Sequence, residues 1–196
     1  MMEGNILFPV FLKLHTLHTL VVGAGPIGLE KLNTLISNSP MASIKVVALE
    51  VIPEVQEISQ HFPNVSIHKK AFEVQDLDDV NLVIAATNNE ALNLEIRAAA
   101  KARKLLVNFA DKPALCDFYL GSVVKKGDLK IAISTNGKSP TVAKRLKELL
   151  NESLPDDIDK ALQQMAALRL TLEGDFADKV RVLNEVTSVL IENKKQ

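Results

Sequence analysis

Gly23-Ala24-Gly25-Pro26-Ile27-Gly28 follows the apolar run Leu20-Val21-Val22 and opens onto a helical pattern of Leu29, Leu32, Leu35 and Ile36. Strand, glycine turn and helix in that order are what a dinucleotide pyrophosphate requires. Gly23 permits the tight turn, Gly25 lets backbone approach phosphate, and Gly28 lets the helix pack against the strand. The next apolar run, Ile44-Lys45-Val46-Val47-Ala48-Leu49, closes on Glu50. A carboxylate there can accept hydrogen bonds from the ribose hydroxyls of NAD and would repel the additional phosphate of NADP. NAD is the expected cofactor.

Outward from this turn, strand-like runs alternate with amphipathic helices. Phe8–Leu14 reads as a leading edge strand carrying Pro9. After Glu50, Pro53 opens a helix to about His61, Val65–His68 is a third strand, and Asp76–Asp79 is a polar crossover. Asn81–Ala86 is a fourth strand, Glu90–Arg103 a helix and Leu105–Asn108 a fifth strand. This alternation predicts a Rossmann-type, doubly wound parallel sheet in an α/β fold, with ligands at the carboxyl ends of its strands. Beyond Asp111-Lys112-Pro113 the pattern turns antiparallel: Tyr119–Val124 and Leu129–Ser134 flank Lys125-Lys126-Gly127-Asp128, whose length and glycine suit a hairpin. Ser139-Pro140 starts a basic amphipathic helix through Leu150. A final helical stretch follows, with Leu162, Met165, Leu168, Leu172, Phe176, Val180, Leu183, Val186 and Leu190 at helical spacing and a break at Gly174. The expected division is an NAD-binding Rossmann domain over 1–113, a small α/β dimerisation and substrate region over 114–150, and a C-terminal helical region over 151–196.

Composition narrows the class. The 196 residues carry a formal charge of −1, so no global field argues for nucleic acid or membrane. The single cysteine, Cys116, excludes an internal disulfide and a multi-cysteine zinc site. No apolar run reaches bilayer length and no signal-peptide pattern opens the chain, so cytoplasmic residence is expected. His15, His18, His61 and His68 lack metal-ligand spacing and read as surface or structural; no metal site is expected.

Four motifs in series carry a resemblance: Val21-Val22-Gly23-Ala24-Gly25 with Lys31 in the following helix; Ala85-Ala86-Thr87-Asn88; Asn108-Phe109-Ala110-Asp111-Lys112-Pro113; and Ile133-Ser134-Thr135-Asn136-Gly137-Lys138-Ser139-Pro140. From about Phe8 to Leu150 the chain resembles the precorrin-2 dehydrogenase and sirohydrochlorin ferrochelatase family, the dehydrogenase module of sirohaem synthases. The last two motifs are the more specific. The resemblance implies NAD-dependent oxidation of the tetrapyrrole precorrin-2 to sirohydrochlorin, in some members with insertion of transient Fe2+ to give sirohaem. It also implies a homodimer, although the apolar pattern equally suits a monomer with its hairpin folded back. No methyltransferase domain follows, so another protein is expected to make the precorrin-2.

Asp111, just past the fifth strand, could accept a proton as hydride leaves the substrate; it matches the family's catalytic aspartate, while by residue type alone it suits a turn before Pro113. The resemblance assigns cofactor contacts to Pro26, Ile27, Leu49 and Glu50. Thr87 and Asn88 suit the cofactor crevice and, with Asn89, a helix N-cap, and both roles can coexist. A substrate rich in carboxylates needs cations and hydrogen-bond donors, for which the candidates are Lys112, Thr135, Asn136, Gly137, Lys138, Ser139, Lys144 and Arg145. Thr135 stands where relatives often have a serine that is phosphorylated in some members. Gly28 stands where many have alanine, a change expected to be harmless. Two other readings fit the glycine turn: a non-catalytic NAD-sensing module and a dehydrogenase of another small substrate. The first would survive loss of Asp111, and the second leaves the hairpin and basic helix without a role.

Overall fold

The computed structural model describes residues 4–173 and 175–188. Its first compact unit, residues 6–120, is a five-stranded parallel sheet. In chain order β1 (His18–Ala24), α1 (Pro26–Asn38), β2 (Ser43–Val51), α2 (Pro53–His61), β3 (Val65–Lys69), β4 (Leu82–Ala85), α3 (Glu90–Ala102) and β5 (Leu106–Phe109) build it, with strand order β3-β2-β1-β4-β5. The order reverses between β1 and β4, the switch point at which such sheets open a ligand crevice. The predicted doubly wound α/β fold is borne out.

Alternation along each strand divides the core between the two faces. Val21, Ile44, Val46, Val65 and Ile84 pack with Leu32, Leu35 and Ile36 of α1 and Val55 of α2. Leu20, Val22, Val47, Val83, Ala85, Val107 and Phe109 pack with Ile96 and Ala100 of α3 and with Leu77. Because β4 and the Leu20-Val21-Val22 segment of β1 are covered on both sides, they read as continuous apolar runs.

Two local expectations change. Residues 8–13 form no strand; Phe8, Val10 and Phe11 are exposed, and a 3-10 turn at Leu14–Thr16 precedes β1. Pro9 lacks the N–H that a ladder needs. The polar crossover is itself a 3-10 turn, Val74–Leu77, closed by a capping box between Glu73 and Asp76. The close packing expected of Gly28 is present: a Cβ there would stand 2.2 Å from the Gly23 carbonyl oxygen.

The second unit contains residues 121 onward. Here β6 (Ser122–Lys126) and β7 (Leu129–Ile133) form the predicted antiparallel hairpin, followed by α4 (Pro140–Ser153), α5 (Ile158–Thr171) and α6 (Phe176–Thr187). Gly127 turns the hairpin at φ +57°, and Lys126 donates to the Leu154 carbonyl at 3.0 Å, tying strand to the end of α4. The expected break at Gly174 and the apolar position Leu190 lie outside the described residues.

Candidate dinucleotide and catalytic site

The geometry of the crevice begins with an irregularity in β1. Val22 pairs with Val47, yet Ala24 pairs with Val51, so β2 uses four residues where β1 uses two. That divergence leaves Ala48, Leu49 and Glu50 without partners on β1, fronting a cavity of about 620 Å³. Gly23 sits at the shift with φ +104°, and a Cβ on it would meet the Ala86 carbonyl oxygen at 2.3 Å. Only glycine is accommodated between β1 and β4 there.

Gly25 differs from its neighbours. Its backbone is extended, and a Cβ would meet nothing within 4 Å. It is the N-cap of α1, with no side-chain cap and no acidic residue in the first turn. The N–H groups at this end are therefore free of side-chain partners, beside open space that a side chain would fill. A pyrophosphate fits both features.

Of the expected cofactor residues, Gly23, Leu49, Glu50, Thr87 and Asn88 line this one cavity. Gly25 is half-buried, Pro26 and Ile27 are exposed at the start of α1, and Gly28 is buried against Gly23. Asn89, a residue suited to the helix N-cap, also lines the cavity, together with Lys70, Phe72, Leu92 and Glu95, which sequence reasoning did not single out. The carboxyl-end rule extended past β3 would have reached Lys70 and Phe72. Lys70 is bonded to Glu73 at 2.8 Å and to Asp76 at 3.1 Å, and those hydrogen bonds raise its pKa. Burial works against the Asp76 charge, but the Glu73 N–H and the two lysines outweigh it and hold the carboxyl below its ordinary value.

Asp111 and Lys112 line a second cavity, of about 320 Å³, with Glu90, Asn93, Leu94 and Pro113–Leu115. The two cavities flank the first turns of α3. Ala110 donates to the carbonyl of Ala85 at 2.9 Å, so Asp111 stands one residue beyond the β4–β5 ladder. It adopts φ +57°, the left-handed region that non-glycine residues seldom occupy, and is exposed.

The loop bearing Asp111 is clamped at its base. Asp117 N–H donates to the Val107 carbonyl at 2.8 Å, and Val107 N–H donates to the Asp117 carboxylate at 3.0 Å. Arg97 of α3 grips that carboxylate with both guanidinium nitrogens, one at 2.8 Å. The Arg97 bond, helped by the Val107 N–H against burial, depresses the Asp117 pKa. Cys116 accepts from Phe109 N–H and donates to the Phe109 carbonyl, and burial pushes its thiol pKa up.

The remaining candidates belong to the second unit. Asn136 (φ +54°) and Gly137 (φ +73°) are the central residues of a turn closed by Lys138 N–H to the Thr135 carbonyl at 3.0 Å, the primed type that needs two left-handed residues. Thr135 exchanges hydrogen bonds with Ser139, whose hydroxyl caps α4 by accepting from Val142 N–H. Lys138, Lys144 and Arg145 are exposed, and Arg145 pairs with Glu148 at 3.1 Å. Among the described residues no three His, Cys, Asp or Glu side chains converge as a metal set, and no helix is long and apolar enough to cross a membrane.

Comparison with known proteins agrees with this geometry. A family model described as "Putative NAD(P)-binding" matches residues 10–122, and one described as "Sirohaem biosynthesis protein central" matches 126–153. The chain is 33% identical over 169 residues to a "Siroheme synthase" of Pseudoalteromonas atlantica, covering 86% of this chain and 36% of that protein. It is 37% identical over 147 residues to one from Baumannia cicadellinicola, covering 75% and 31%. It thus spans about a third of the length of these curated relatives. A solved structure titled "SirC, precorrin-2 dehydrogenase" superposes with a TM-score of 0.76 at 27% identity, covering 92% of this chain and 89% of that one. The nicotinamide dinucleotide expected from the glycine turn is borne out as the cofactor. The chain belongs to the NAD(P)-binding family of sirohaem biosynthesis, that of precorrin-2 dehydrogenase and the dehydrogenase module of sirohaem synthases.

Proposed function

We propose that this chain is an NAD-dependent precorrin-2 dehydrogenase that yields sirohydrochlorin, with Asp111 as its proton acceptor. The observation that carries the reading is Asp111 itself, a carboxylate on a left-handed residue just past the β4–β5 ladder, lining a cavity beside α3. Strained positions of this kind cluster at functional sites. The likeness along nearly the whole of a precorrin-2 dehydrogenase supports the same substrate.

When bound, NAD supplies the hydride acceptor. The chain's own residues do the rest. Gly23, Gly25 and the start of α1 receive the pyrophosphate, flanked by Pro26 and Ile27, with Gly28 keeping the helix close. Leu49 and Glu50 meet the adenosine ribose, and Glu50 disfavours a 2′-phosphate. Thr87 and Asn88 line the crevice toward Asp111. Loss of a hydride and a proton from the macrocycle requires a base, and the Asp111 carboxylate takes that proton.

Lys112, the turn Thr135-Asn136-Gly137-Lys138-Ser139, and Lys144 and Arg145 bind the substrate carboxylates; Arg145 exchanges Glu148 for substrate when it does so. The functional division follows 1–113 for the dinucleotide, 114–150 for dimerisation and substrate, and 151–196 as a helical region. The chain acts as a homodimer in the cytoplasm, pairing through the hairpin region. Asp111 also serves a second activity, receiving pyrrole protons as Fe2+ enters sirohydrochlorin as a substrate.

Anaerobic incubation with enzymatically generated precorrin-2 and NAD tests the reading. NADH and the sirohydrochlorin spectrum should appear together, and added Fe2+ should convert product to sirohaem above the uncatalysed rate. NAD binding without oxidation would overturn the precorrin-2 dehydrogenase assignment and leave a sensing module or a dehydrogenase of another small substrate.

A further inference from the structure

The buried stripe of α3 contains Asn93, Ile96 and Ala100. An amide among apolar neighbours, with Asn93 only 2% exposed, must find partners inside the protein. It finds them on one residue: Asn93 Nδ2 donates to the Thr87 carbonyl at 3.2 Å, and the Thr87 hydroxyl donates to Asn93 Oδ1 at 3.0 Å. The Thr87 hydroxyl in turn accepts from Asn89 N–H at 3.2 Å, and Asn89 caps α3 through Leu92 N–H at 3.0 Å. Thr87, Asn88 and Asn89 line the dinucleotide cavity, whereas Asn93 itself lines the cavity of Asp111.

We propose that Asn93 is a positioning residue for the dinucleotide: its buried amide, by holding both polar groups of Thr87, sets the backbone of the β4–α3 loop in the binding conformation. A helix core position filled by Leu or Val would pack as well, but would leave the Thr87 carbonyl and hydroxyl free to turn. Backbone and cap bonds fix the two ends of the loop, Ala86 N–H to the Val22 carbonyl and Leu92 N–H to Asn89 Oδ1, and between them the Thr87 side chain and carbonyl are held by Asn93 and by Asn89 N–H. Asn93 touches neither cofactor nor substrate in this role and acts through Thr87.

The inference rests on the dinucleotide reading of the crevice, and NAD titration calorimetry tests it without turnover. Asn93→Ala should weaken NAD binding about tenfold, the equivalent of one lost hydrogen-bonded restraint. Asn93→Asp is isosteric and separates positioning from packing. As a carboxylate it faces the Thr87 carbonyl with no donor; as a neutral acid it donates much as the amide does. Glu90, Asp111 and Lys112 share its cavity, so wild type titrated at each pH is the control. The Asn93→Asp affinity should fall about tenfold relative to wild type at pH 8 and return toward it at pH 5.5, a buried carboxyl titrating high. Wild-type affinity for NAD in folded Asn93→Ala, or in Asn93→Asp at pH 8, would overturn the proposal. If wild type binds NAD but leaves precorrin-2 unoxidised, the dehydrogenase reading fails while these affinity ratios still decide the role of Asn93.

Discussion

Two glycines three residues apart should respond to the same methyl group in opposite ways. A Cβ on Gly28 would stand 2.2 Å from the Gly23 carbonyl oxygen and 2.9 Å from its carbon, against ordinary contacts of 3.4–4 Å. Both obstacles are backbone, so α1 and the turn must separate by more than 1 Å. Overpacking of this kind costs roughly 1–3 kcal/mol, and for a domain of this size the midpoint of thermal unfolding falls about 2–4 °C per kcal/mol. A Cβ on Gly25 meets nothing within 4 Å, and its φ of −85° suits any residue. Gly25→Ala should therefore unfold at the wild-type temperature or slightly above it, since alanine loses less chain entropy, by about 0.4–1 kcal/mol. The same methyl occupies the space assigned to the pyrophosphate, and NAD affinity should fall at least tenfold, about 1.4 kcal/mol. Thermal unfolding and NAD calorimetry on both variants check this. Wild-type NAD affinity in Gly25→Ala, or wild-type stability in Gly28→Ala, would refute the reasoning.

Other consequences are equally measurable. Glu50→Gln should raise NADP affinity relative to NAD by about tenfold, since the repulsion of the 2′-phosphate is removed; an unchanged ratio by calorimetry would take Glu50 out of cofactor choice. Asp111→Gly should unfold at or above the wild-type temperature, because glycine adopts φ +57° without strain, whereas Asp111→Val should unfold lower. The Asp117 carboxyl is held below its ordinary value by Arg97, so the stability it contributes is present above the unfolded pKa of about 4 and is lost as pH falls through the folded one. Asp117→Asn should be less stable than wild type at pH 7 in urea, and should lose less on acidification from about pH 5 to pH 3; parallel pH profiles would contradict the assignment.

The parts of this fold legible in the sequence are those where local pattern and tertiary demand coincide. Leu20-Val21-Val22 and Leu82–Ala85 are covered on both faces, so they are apolar throughout, and Pro53 and Asn89 mark helix starts by chemistry that acts locally. Phe8–Leu14 has strand composition without a strand, because apolar residues record a tendency to be buried and not the partner that buries them. The long-range site contacts were less visible. Lys70 reaches the crevice because β3 pairs with β2, and Asn93 shows only as a polar residue in an otherwise apolar helical stripe. Gly28 was legible as a close-packing residue, but the group it packs against, the Gly23 carbonyl, depends on where the turn directs its backbone.

The central claim is that one carboxylate beside this dinucleotide crevice removes the proton from precorrin-2. Its most direct test is a single-turnover oxidation by wild type and Asp111→Asn, anaerobically, at NAD concentrations shown by calorimetry to saturate both. Asparagine keeps the shape and tolerates the left-handed backbone, so NAD affinity should be unchanged while the rate of NADH formation falls about 10²–10⁴-fold, the range of a general base. Equal rates from the two proteins would contradict the account.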